Sequence, residues 1–183
     1  MTVAAVVDNE PSGRLVRRII SDSGFEVYNG LERSAAIMMA CGALSELMPT
    51  VLLLDSDTLE ERLLRERQHL VEISLNRCHG RIPYRLILAV PQVDAILFSD
   101  RKGFEKARGQ KVADLDWFEA RFRPRAVFRR LLGEGDFEEK ALAVINALDD
   151  AALRRMARHP IIQEIRGFMA EVQLKRARVR RAG

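Results

Sequence analysis

Two carboxylates, one residue apart, close a short apolar run in Val51-Leu52-Leu53-Leu54-Asp55-Ser56-Asp57. Asp8 and Glu10 follow the run Val3–Val7 in the same way, and Asp94 and Asp100 follow Leu86–Val90. Hard divalent cations such as Mg²⁺ are held by one or two carboxylates together with water and phosphate oxygens. Carboxylates gathered in one place repel one another unless a cation or a shared proton offsets them. Acids at the ends of apolar runs therefore point to a divalent cation, with Asp55 and Asp57 as candidate ligands. Period-2 geometry puts Asp55 and Asp57 on one side of an extended segment. Each acid also has a structural reading. Asp57 can cap a helix starting near Leu59. Asp8 and Glu10 suit a turn and the positive end of a helix dipole beside Pro11. Asp94 reads as a first-turn helical acid and Asp100 as a solvated one.

The elements that would position these acids alternate. Val3 to Val7, Phe25 to Tyr28, Val51 to Leu54 and Arg85 to Ala89 read as strands. The unbroken apolar character of Val51 to Leu54 is that of a strand covered on both faces of a parallel sheet. Between the strands lie helical patterns: one opened by Pro11 and Ser12 and ended by Gly24, one over Ser34 to Leu47, one from about Leu59 to Arg77. This βαβ order predicts an α/β, Rossmann-like fold with a mostly parallel sheet flanked by helices. In such sheets ligands bind beyond the carboxyl ends of the strands, which is where the acids fall. Past Pro91 the pattern becomes helical: Val93 to Ala107, Trp117 to Phe122, Ala126 to Leu132, Phe137 to Leu148, Ala151 to Arg158 and Ile161 to Val172. The expected organisation is an α/β domain over 1–110, a helical C-terminal extension packed on it over 111–172, and a basic, disordered tail over 173–183.

The chain of 183 residues, 48% of them hydrophobic, is long enough to bury a core without covalent staples. Cys41 and Cys78 lie far apart in helical contexts with no metal-ligand spacing, so two separate thiols in a reducing cytoplasm are expected. No apolar run reaches membrane-spanning length. The tail holds Lys175, Arg176, Arg178, Arg180 and Arg181 and no acid, so removing those five charges takes the formal charge from +4 to −1. Lys175 and Arg176, with Arg121, Arg123 and Arg125 around Pro124, are the candidate contacts to nucleic-acid phosphates. A solvated charged face explains the same residues. Trp117 reads as an anchor for the helical half. Ile161, Ile162, Ile165, Phe168 and Met169 form an apolar stripe suited to the sheet domain or to a homodimer partner.

An acid after the first strand, an Asp-x-Asp after the third and the segment Val90-Pro91-Gln92-Val93-Asp94 together resemble the toprim domain of primases, topoisomerases and the overcoming-lysogenization-defect nucleases. The resemblance covers roughly residues 3 to 109. It is also similar to toprim-like proteins associated with defence and mobile elements. It implies metal-dependent phosphodiester hydrolysis or transfer on DNA or RNA. Asp55, Asp57 and Asp94 would hold Mg²⁺ or Mn²⁺, Glu10 or Asp8 would act as general acid or base, and a separate ATPase or toxin partner could be required. The family's first acid is a glutamate followed by glycine; here that place falls on Asp8 before Asn9 or Glu10 before Pro11. The opening thirty residues also resemble a response-regulator receiver, with Asp55 as phospho-acceptor. There the second acid falls on Asn9, and Val90-Pro91 stands for the Ser or Thr after strand four. A third reading is a non-catalytic interaction module on the same scaffold.

Overall fold

The computed structural model describes the backbone of residues 2–182 and the side chains of 2–175 and 177. Four parallel strands, β1 (Val3–Val7), β2 (Phe25–Asn29), β3 (Thr50–Asp55) and β4 (Tyr84–Ala89), form one sheet in the order β2-β1-β3-β4. Every residue of β1 and β3 is buried, as expected of central strands whose side chains alternate between two covered faces. The strands, the helices between them and the Rossmann-like α/β class are as the apolar periodicity predicts.

One face of the sheet is covered by α2 (Arg33–Ser45) and α3 (Glu61–Cys78), which bury Val6, Leu52 and Leu54 against Ala36, Ala40, Leu44, Val71 and Leu75. The other face is covered by α1 (Glu10–Ile19) and by the whole second half of the chain. That half begins with a 3-10 helix (Val93–Ser99) and continues through α4 (Arg101–Arg108), α5 (Asp114–Glu119), α6 (Pro124–Leu132), α7 (Phe137–Ala147), α8 (Asp150–Met156) and α9 (Pro160–Ala182). Phe128, Ile145, Met156, Ile162 and Phe168 share one continuous core with Val3, Val7, Val51 and Leu53. The helical half thus completes the sheet's own core. Trp117 is the anchor expected, its ring 5.4 Å from Phe98, which also meets Phe104 at 5.0 Å.

Four expectations are corrected. The single helix over Val93 to Ala107 is broken at Asp100, whose extended backbone separates the 3-10 helix from α4. Asp100 is not solvated: it is buried and lies 2.8 Å from the Arg155 guanidinium of α8. That pairing fits the break, because Asp100 faces α8 instead of the next turn. The tail is not irregular in backbone, since α9 carries helical structure through it to Ala182. Finally, Cys41 of α2 and Cys78 of α3 form a disulfide with Cα atoms 5.3 Å apart. A separation of 37 residues in sequence hid the fact that two neighbouring crossover helices bring these positions together.

Candidate functional site

Register places the acids. Val7 of β1 pairs with Leu53 of β3, and Asp55 pairs with Ala89 of β4, so Asp8 and Asp55 leave the sheet side by side at its carboxyl edge. Asp8 Oδ2 accepts the Asp55 backbone N–H at 3.1 Å, and its Oδ1 accepts from Asn9 Nδ2 at 2.8 Å. Asn9 caps α1 by accepting from Ser12 N at 2.9 Å. Glu10 is exposed in the first turn of that helix and makes no hydrogen bond to Asp8 or Asp55 among the described residues. The structure therefore brings Asp8, and not Glu10, to Asp55.

Asp55 is 2% exposed. Its Oδ1 accepts the Val93 N–H at 2.7 Å, fixing the start of the 3-10 helix, and its Oδ2 lies 2.7 Å from Arg125 Nη2. Arg125 Nε donates to Asp94 Oδ2, also at 2.7 Å. One guanidinium from the first turn of α6 thus joins the acid that ends β3 to the acid that opens the 3-10 helix. Asp94 is buried like Asp55. Burial drives the Asp55 carboxyl up to about 7, with the Asp8 and Asp94 charges adding to the rise and Arg125 and the Val93 N–H opposing it. Burial also raises the Asp94 carboxyl, against the pull of Arg125.

Asp57 stands apart. Its backbone is left-handed (φ 52°), so the extended geometry that would align it with Asp55 ends one residue too early. Its carboxylate is 47% exposed and is held by Arg33 Nη2 at 3.0 Å and Gln92 Nε2 at 2.9 Å. Arg33 also donates to the Asp55 carbonyl at 2.7 Å, and Gln92 Oε1 accepts the Arg125 N–H at 3.2 Å. Asp57 is neither an N-cap, since α3 begins at Glu61, nor a partner of the buried pair.

Among the described residues no three carboxylate, imidazole or thiol groups are placed to hold a metal ion. A guanidinium stands between the two buried carboxylates, and Asp8 beside Asp55 sets a third acid against that single positive charge. To act as acid or base, Asp55, which is 2% exposed, would have to come within hydrogen-bond distance of the reacting atom.

The arginines expected to touch phosphate divide. Arg125 pairs with Asp55 and Asp94 beneath α6, and its side chain, 25% exposed, also lines the cavity that Arg123 lines. Arg121 and Arg123 are exposed. Arg121 lies 5.8 Å from the Phe118 ring centroid, and Arg123 lines a 420 Å³ cavity with Asp57, Gln92, Phe122 and Arg129. Lys175 is exposed on α9, and the side chain of Arg176 lies outside the described residues. Arg33 and Gln92, which hold Asp57, carry no sequence signal that would have found them. Among the described residues no helix is long and apolar enough to cross a membrane. Comparison with protein-family models, with curated proteins and with solved structures finds no match.

Proposed function

We propose that this chain is a non-catalytic binding module on an α/β scaffold, in which the acid-bearing sheet edge holds the helical half in place and the outer surfaces carry the function. The observation that supports it is the Arg125 guanidinium, 2.7 Å from both Asp55 and Asp94. Removing one partner from a network buried this deep is strongly destabilising, which suits a latch and not an open site. The same burial counts against a receiver, whose phospho-acceptor must meet its phosphodonor; Asp55 is sealed under α6. Phosphodiester chemistry by Asp55, Asp57 and Asp94 would require Arg125 to leave and Asp57 to turn inward.

Incubation of supercoiled plasmid with the purified chain and Mg²⁺ or Mn²⁺, beside the Asp55→Ala/Asp57→Ala double variant, tests this reading. It predicts no nicking by either protein. Metal-dependent nicking by the wild type, absent from the double variant, would overturn it in favour of a toprim-like nuclease using Mg²⁺ or Mn²⁺.

A further inference from the structure

A cavity of about 610 Å³ opens where α1 ends, between α8 and α9, on the side of the sheet away from the Asp55 edge. Four guanidiniums line it, from Arg18, Arg154, Arg158 and Arg166, and Asp150 is the one carboxylate among the lining residues. None of the four makes an ion pair among the described residues, whereas Arg155, on the same helix as Arg154, is taken up by Asp100. Arg18 is held by the carbonyls of Ile145 and Leu148 at the end of α7, the latter at 2.8 Å, and Arg166 donates to the Ile19 carbonyl at 3.3 Å. Those bonds fix the position of two guanidiniums at helix carbonyl ends, which offset their charge only in part. A second cavity of about 400 Å³ adjoins the first, sharing Ser21 and Arg166 with it, adding the carboxylate of Asp22 and running along α9 to Gln173. Lys175 follows two residues further on the same helix.

Like charges converging on a concave surface raise one another's energy, and the concavity focuses their field outward. An anion relieves that cost, and guanidinium forks match phosphate oxygens in geometry as well as charge. A single phosphate would meet one or two of these arginines. Four of them around one cavity of about 610 Å³ fit more than one phosphate.

We propose that this groove binds consecutive phosphate groups of a nucleic-acid strand, which makes nucleic acid the partner of the binding module inferred above and rests on that reading. The contact is to the backbone, so it carries no base preference.

The test is fluorescence anisotropy of a labelled single-stranded oligonucleotide titrated with the full chain in Mg²⁺ at several salt concentrations. The variants are Arg154→Gln/Arg158→Gln, the charge-keeping Arg154→Lys/Arg158→Lys, and Arg121→Gln/Arg123→Gln on the other surface. Binding by the wild type is expected to weaken at least tenfold in the first double variant and much less in the lysine one. The first double variant should also lower the salt slope by about 1.4, at roughly 0.7 for each single-strand phosphate that the protein no longer neutralises. Unchanged circular dichroism of the variants shows that folding is not the cause. Tripolyphosphate should displace the oligonucleotide; binding of tripolyphosphate with no affinity for the strand overturns nucleic acid in favour of a free polyphosphate. Absence of both, or oligonucleotide binding that only Arg121→Gln/Arg123→Gln weakens, overturns the groove itself. Shortening of the oligonucleotide would instead contradict the non-catalytic reading, and is read from the same samples on a gel.

Discussion

Two arginine-rich regions of this molecule meet opposite surroundings. At the carboxyl edge of the sheet, Arg125 is paired with the buried Asp55 and Asp94, and each contact is 2.7 Å. On the far side, Arg18, Arg154, Arg158 and Arg166 share a cavity with Asp150 as their one acidic neighbour in its lining. The side chains are the same; their counter-charges are not. In the first region the protein supplies the anions itself, so the guanidinium is a piece of internal structure. In the second the protein offsets the charge only in part, so an anion from outside can improve the arrangement. Neither role follows from the presence of arginine alone.

The sharpest way to break this comparison is to remove one arginine from each region. Arg125→Ala should cost about 3–5 kcal/mol in urea-induced unfolding, because it strands two buried carboxylates. Arg158→Ala should change stability by no more than about 0.5 kcal/mol, as exposed substitutions usually do. Equal losses would mean that the two regions do not differ as described.

A second expectation concerns pH. The Asp55 carboxyl is raised from 3.8 to about 7 in the folded chain, first by burial and then by Asp8. A carboxyl with a raised folded value favours folding fully below its unfolded value, and that contribution is lost as the pH rises through the folded value. The wild type should therefore lose stability relative to Asp55→Asn between about pH 4 and pH 7. A stability difference that stays flat over that window, measured by thermal unfolding, would place the titration elsewhere.

The smallest effect is expected at Asp57. Its pair with Arg33 is exposed on both sides, and such pairs contribute roughly 0–1 kcal/mol. Asp57→Asn, which keeps acceptor capacity toward Arg33, should lower stability by less than about 1 kcal/mol. A loss matching that of Arg125→Ala would put Asp57 in the buried cluster after all.

The same contrast shows what the sequence revealed and what it hid. Buried strands announce themselves as apolar runs, so β1 and β3, and with them the approach of Asp8 to Asp55, were legible from Val3–Val7 and Val51–Leu54 alone. The apolar stripe Ile161, Ile162, Ile165, Phe168 and Met169 likewise read correctly as buried. The local backbone did not. Nothing in Asp55-Ser56-Asp57 reveals the left-handed turn that sends the second acid to the surface. Long-range pairing was equally hidden: Arg125 lies 31 residues beyond Asp94, Arg155 lies beyond Asp100 on another helix, and the Cys41–Cys78 bond depends on the packing of α2 against α3. Charges and thiols carry no periodicity that says which partner they will face.

The central claim, that Arg125 occupies the place between the carboxylates at the sheet edge, is tested most directly by thermal unfolding of the full chain with increasing Mn²⁺, beside Asp55→Asn. A ligand that binds the folded state stabilises it in proportion to the logarithm of its concentration over Kd. The unfolding temperature of the wild type should stay the same in millimolar Mn²⁺. A rise that grows with Mn²⁺ and disappears in Asp55→Asn would contradict the account, because it would show that a cation takes the place assigned to Arg125.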